Sequence, residues 1–408
     1  MSQGLKALFA ERAGSGEPFV FPGPDVPIVF NFDQGLAAPE TFPIDQLLRL
    51  SRKIFDEDGS SPLDYFDPQV GYEELVYGSR RLREALARRY CLKHRQGMAA
   101  SNFILTSGSV QGIALAAAAF INPGDTVIVE AASFPYAISY FEAAGANIVC
   151  VPVDEHGMDV DAVERVASEV TRQGQKLKLV YTISTFQMPT GVVMSLERRE
   201  RLLALAETFD FIVHEDYVYG ELRFEGQALP SLLSLDTRGR VIHDNSFSKT
   251  LAPGLRIGWM TGDEAMINAM ASVRQDLGVS QWMARLAQAF LDEGLFDEHL
   301  DNVNAIYRQK RDVAIEAVQK HCANYLKFRK PEGSFYLWLE VDQRVDWERA
   351  AHLAAQEGIF FRPGERFETA GDGRRFIRLA YGRVSHEVIE GGIAKLGDIL
   401  DRCARDCA

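Results

Sequence analysis

No two cysteines in this chain of 408 residues stand in a Cys-x-x-Cys spacing. The five present, Cys91, Cys150, Cys322, Cys403 and Cys407, are odd in number and scattered. That argues against a disulfide framework or a zinc site and fits reduced thiols in a cytoplasmic setting. Cys403 and Cys407 are four apart on a terminal helix, a conceivable metal pair, but no partner ligands stand near them, so no metal is expected. Long apolar runs are missing too: none reaches the ~18–20 residues of a membrane span. Residues 1–12 lack the hydrophobic core of a signal peptide. Positive charge is in deficit, with 44 Lys and Arg against 57 Asp and Glu and a net charge of −13. That leaves no basic face for the phosphates of a nucleic acid. The expectation is a soluble cytoplasmic protein with neither nucleic acid nor membrane as partner.

The chain does have ample material for a core. Hydrophobic residues make up 47% and charged residues 25%, an ordinary globular mix, and the length makes two domains the prior. Residues 1–45, with Gly14, Gly16, Pro18, Pro22, Gly23 and Pro24, read as an irregular arm. An amphipathic helix is expected over 44–56. From Phe103 onward, strands (103–106, 126–130, 147–153, 179–183, 211–216) alternate with helices (110–121, 137–144, 160–173, 202–209). That rhythm predicts βαβ units and a parallel sheet. Further helices are expected over 265–279, 283–293, 300–323 and 388–403.

The chemistry centres on one stretch, Asn245-Ser246-Phe247-Ser248-Lys249-Thr250-Leu251-Ala252-Pro253-Gly254-Leu255-Arg256-Ile257-Gly258-Trp259. A lysine with apolar flanks is partly desolvated, which lowers its pKa and makes it a nucleophile toward carbonyls. Ser246, Ser248 and Arg256 are donors of the kind a phosphate needs. An amine beside a phosphate site suits a phosphorylated aldehyde held as a Schiff base, as pyridoxal phosphate requires. A strand, the turn Ser107-Gly108-Ser109 and a helix make a second anion site from free amides and the helix dipole. Asp216 ends a strand, where chemistry collects in open α/β sheets. Glu215 is its competitor, and Asp216 is preferred for its spacing to Tyr219. His214 is read as a packed histidine on the opposite face.

The Lys249 string resembles the S-x-S-K-x-x-x-P-G-x-R-x-G-W signature of the class I/II aminotransferases, which are pyridoxal-phosphate enzymes of fold type I. The resemblance runs over about residues 28–400 and is nearest the branch holding aromatic and 2-aminoadipate aminotransferases and MocR-type effector domains. It implies an α/β fold: a large domain (46–295) with a mostly parallel sheet flanked by helices, and a small α+β domain (296–408) joined by the arm (1–45). It also implies a homodimer with shared active sites, acting on a small-molecule amino acid and a 2-oxo acid. By the same resemblance Lys249 carries pyridoxal 5′-phosphate and later removes the Cα proton. Asp216 pairs with the ring nitrogen, and Tyr219 stands near the phenolic oxygen. Ser109, Val110, Ser246, Ser248 and Arg256 hold the phosphate, with Gln111 beside them. Phe134 stacks on the ring or is ordinary core. Tyr65 reaches the phosphate of the other subunit, or Tyr77 replaces it from the longer connection 66–77. Arg378, with Arg374 and Arg375 as neighbours, grips the substrate carboxylate. Gly35 brings backbone close to that carboxylate or merely turns the chain.

One departure stands out. The family motif N-P-T-G reads Met188-Pro189-Thr190-Gly191 here, and a thioether cannot donate to the phenolic oxygen. The expected activity is amino-group transfer. The departure keeps open another reaction on the same cofactor: β/γ-elimination or replacement, decarboxylation or oxidative chemistry.

Overall fold

The computed structural model describes residues 8–9, 26–368 and 373–404. Residues 14–24 of the expected arm, and Cys407 of the cysteine pair, lie outside the described residues. Seven strands form the main sheet: β1 Phe103–Thr106, β2 Thr126–Glu130, β3 Asn147–Val151, β4 Leu177–Thr182, β5 Ile212–Asp216, β6 Val241–Ser246 and β7 Gly258–Thr261. Their order is β1-β7-β6-β5-β4-β2-β3. Neighbours from β6 to β3 are parallel, and β7 runs against both β6 and β1. The central strands are buried along nearly their whole length, as a parallel sheet covered on both faces must be.

The helices largely follow the apolar periodicity. They include α1 Ile44–Asp58, α2 Ser109–Phe120, α3 Leu196–Phe209, α4 Glu264–Ser272, α5 Leu295–His321 and α6 His386–Cys403. Helix α3 starts six residues before the apolar pattern implied, because the Ser195 side chain accepts from the Arg198 amide and caps it there. The helix expected over 265–279 stops instead at Ser272. Beyond it Arg274 turns inward and donates to the carbonyls of Val76 (2.8 Å) and Leu105 (2.7 Å). Gly278 then adopts φ 87°, which a helix cannot contain.

A second, antiparallel sheet has the order β8-β9-β11-β10, built from β8 Leu326–Phe328, β9 Tyr336–Val341, β10 Arg362–Pro363 and β11 Phe376–Ala380. Helices α5 and α6 pack together beside it. Gly397 lies against the His321 carbonyl, where a Cβ has no room. The early chain lies against this unit and forms a two-stranded sheet of its own with it. Phe30–Asn31 pairs in parallel with Ile359–Phe360, and the Ala380 amide donates to the Phe32 carbonyl at 2.8 Å. Among the described residues no helix is long and apolar enough to cross a membrane.

Candidate active site

The carboxyl ends of β1, β2, β4, β5 and β6 lead into segments carrying Ser109, Phe134, Met188, Tyr219 and Lys249. Phe134, Met188, Tyr219 and Lys249 line one cavity of about 450 Å³, whose other wall includes Gly35, Arg362 and Arg378. Lys249 lies in the turn after β6. Its Nζ donates to the Gly35 carbonyl at 2.8 Å and sits 5.7 Å from the centre of the Tyr219 ring. Burial, with the nearby Arg378 charge added, brings its pKa from 10.5 down to about 8. Asp216 acts in the opposite sense on Lys249. The Asp216 carboxylate is buried and accepts from the Tyr181 hydroxyl at 2.7 Å and the Val218 amide at 3.3 Å.

A second cluster sits where β1, β6 and β7 meet. The Ser246 hydroxyl lies 2.8 Å from that of Ser248. Arg256 donates to the Ser107 carbonyl at 2.6 Å, beside the start of α2, whose first-turn amides have no helical acceptor. Gly258 allows this approach: a Cβ there would stand 2.7 Å from the Gly108 carbonyl carbon. Serine hydroxyls, a guanidinium and a helix N-terminus are a donor set matched to a phosphate ester. Ser109 and Val110 open that helix. The Gln111 side chain is engaged elsewhere, on the Ser107 amide and Asp276.

Arg378 on β11 is buried between aromatic rings, 5.0 Å from the centre of Phe367, and donates to the Asp33 carbonyl. Gly35 stands directly against it, with the Arg378 Nη1 3.4 Å from where a Cβ would be. Arg375 is committed to the Val341 carbonyl, at 3.0 Å. Asp33 also accepts from Arg362 at 2.5 Å. The pair joins residues 329 positions apart, and no local motif in the sequence announces it. Met188 is 5% exposed. Its sulfur lies 3.7 Å from Arg378 Nη1 and 3.9 Å from the Tyr219 hydroxyl. The loop that carries it is anchored by Gln187, which donates to Glu130 at 3.0 Å and to the Ala132 carbonyl at 2.6 Å.

Other candidates lie apart from the cavity. Tyr65 is 66% exposed and does not line it. Tyr77 donates to Asn268 at 2.8 Å and packs under Arg83. Glu215 accepts from Ser184, from the Leu232 and Leu233 amides, and bonds His243. It therefore anchors the helix Leu232–Leu235. His214 is packed as expected, fully buried beside Phe141 and Tyr181, but it shares the Asp216 face of β5. It does not take the expected opposite face because residues two apart on a strand point the same way.

Asp216 and the Ser109, Val110, Ser246, Ser248 and Arg256 set do not line the cavity that Lys249 lines, but all follow or end strands at the carboxyl edge of one mostly parallel sheet, the architecture of fold type I pyridoxal-phosphate enzymes. The family model for class I and II aminotransferases matches residues 75–396, and the chain belongs to that family. It is 33% identical over 374 residues to aromatic-amino-acid aminotransferase 1 of Thermococcus litoralis, covering 91% of this chain and 88% of that one. It is 31% identical to the 2-aminoadipate transaminase of Thermus thermophilus, covering 92% and 90%. The crystal structure of Pyrococcus horikoshii kynurenine aminotransferase, solved with PMP, superimposes with a TM-score of 0.89 at 31% identity, covering 98% of both chains. The protein is thus an aminotransferase acting on amino acids, and its family implies pyridoxal phosphate as cofactor. These relationships favour amino-group transfer over the elimination, decarboxylation or oxidative alternatives that Met188 left open.

Proposed function

We propose that the chain moves the amino group of an aromatic or other large α-amino acid to a 2-oxo acid, with pyridoxal 5′-phosphate bonded to Lys249. The observation that carries this is a lysine amine, lowered to about 8, in one cavity with the buried Arg378 guanidinium. Bound there, the cofactor supplies the electron sink for the Cα electron pair. Ser109, Val110, Ser246, Ser248 and Arg256 would hold its phosphate, Phe134 would cover its ring, and Tyr219 would stand by its phenolic oxygen. Asp216 would hold a proton on the ring nitrogen. Arg378 grips the substrate carboxylate through two parallel hydrogen bonds. Lys249, which loses its ammonium proton above about pH 8, is suited to take the Cα proton and return it. Phe134, Tyr136, Phe360 and Phe367 in the cavity wall favour a large apolar side chain and exclude water.

A homodimer with shared sites belongs to this proposal. Tyr65, Tyr72, Leu48 and Leu63 are exposed, and a second copy laid against them would bury that apolar surface. Tyr65 would then reach the partner's phosphate site. The division at 295/296, with the arm joined to the smaller unit, and a cytoplasmic setting complete the reading. The test is reduction of the purified protein with borohydride, peptide mapping of the cofactor adduct, and a single-turnover scan with amino acids and no 2-oxo acid. An adduct on Lys249 and stoichiometric 2-oxo acid from aromatic amino acids are expected. Release of ammonia or carbon dioxide instead would overturn the proposal.

A further inference from the structure

Three buried polar side chains behind Asp216 have no part in the function proposed above. Tyr181 on β4 pairs in register with His214 on β5, and Asp216 pairs with Asp244 on β6. Side chains directly opposite on neighbouring strands, or two apart on one strand, share a face. Tyr181, His214, Asp216 and Asp244 therefore stand together on one side of the main sheet, all buried. The Tyr181 hydroxyl donates to Asp216 Oδ2 at 2.7 Å, a shorter bond than the 3.3 Å approach of the Val218 amide to Oδ1. His214 Nε2 and Asp244 Oδ2 are 3.9 Å apart. Neither ring nitrogen of His214 and neither carboxylate oxygen of Asp244 has a hydrogen-bond partner among the described residues.

The groups facing Asp216 are consequently unequal. Burial and the neighbouring His243 hold His214 neutral, with its pKa lowered to about 3. Burial, with the Asp216 charge added, pushes Asp244 well above the carboxylate range. Burial raises Asp216 as well. The largest influence against that rise is the Tyr181 hydroxyl, followed by the Val218 amide, His243 and Lys249. On this face Asp216 is the one carboxylate with a donor directed at its ionised form.

We propose that Tyr181 is a positioning residue: its hydroxyl locks Oδ2 of Asp216 and so fixes the carboxylate for the cofactor's ring nitrogen. This rests on the reading of Asp216 and Lys249 given above. The test compares the wild type with Tyr181→Phe, each loaded with pyridoxal phosphate or with an analogue whose ring nitrogen is replaced by carbon. With the natural cofactor, Tyr181→Phe is expected to slow the amino-acid half-reaction by about 10- to 100-fold, the range for losing a hydrogen bond to a charged group. The pH midpoint of its bound-cofactor absorbance is expected to shift as well. With the analogue the two proteins become equal, because Asp216 has no nitrogen to serve. Incorporation of 3-fluorotyrosine at 181 keeps the packing, strengthens the donor and shifts the midpoint in the opposite direction. No change in Tyr181→Phe, or a deficit just as large with the analogue, overturns the proposal and makes Tyr181 a packing residue. Failure of the wild type to retain cofactor on Lys249 after borohydride reduction overturns the underlying reading instead.

Discussion

Replacing Met188 by asparagine adds a donor where the cleft has a thioether. The Met188 sulfur lies 3.9 Å from the Tyr219 hydroxyl and 3.7 Å from Arg378 Nη1, so an amide there falls among the groups that surround the proposed phenolic oxygen. A hydrogen bond to a charged group is worth about 1.5–3 kcal/mol, or roughly 1–2 pKa units. The new bond favours the ionised oxygen. The linkage between cofactor and lysine therefore gives up its proton at lower pH, and the midpoint of the visible absorbance falls by roughly 1–2 units. Spectrophotometric titration of the holoenzyme reads this directly. Met188→Leu is the control, because it keeps the apolar volume, adds no donor and leaves the midpoint in place. Placing an amide at a buried site also lowers stability, by roughly 1–3 kcal/mol, and urea unfolding measures that cost separately. An unchanged or raised midpoint in folded, loaded Met188→Asn would refute the reasoning.

Other outcomes follow from the same geometry. The Lys249 amine has its pKa lowered from 10.5 to about 8. Between those values the unfolded chain holds a proton that the folded, cofactor-free chain does not, so stability rises with pH across that window. The rise is about 2–4 kcal/mol; Lys249→Met should abolish it in urea titrations at the two ends of the window, and an unaltered difference counts against the burial argument. Arg378→Lys loses the fork geometry and should lower kcat/KM by about 10- to 100-fold, mainly through KM, in steady-state rates. Mixing Lys249→Ala with Tyr65→Phe subunits should restore activity absent from the first and weakened in the second, since a mixed dimer has one intact site. No recovery on mixing would place Tyr65 outside the site.

Local strings made much of the fold and cleft legible. The turn around Lys249, the Ser107-Gly108-Ser109 turn and the end of β5 each hold their chemistry within a few residues, so strand-end logic locates them without tertiary information. Arg378 was legible only through its family string. What escaped notice depends on register or on distant pairing. Tyr181 looks like any core aromatic until β4 is laid against β5. The Asp33 and Arg362 pair bridges 329 positions, and no periodicity links them. Helix α4 ended early because Arg274 found carbonyls on Val76 and Leu105, a tertiary competition that apolar spacing cannot register.

The cavity has two walls that rest on different sheets and meet at the Lys249 bond to the Gly35 carbonyl. Lys249, Phe134 and Met188 are set by the main sheet, whereas the segment around Asp33 and Gly35 follows the strand paired with Ile359–Phe360 and is bonded to β11 of the second sheet. Substitutions at Ile28 or Phe360 on the second wall can thus reshape the space for a side chain while the main-sheet residues around the nucleophile keep their places. In evolutionary terms the reaction and the choice of substrate are separable inheritances, and a chain built this way can acquire a new amino acid as substrate without rebuilding the chemistry that acts on it.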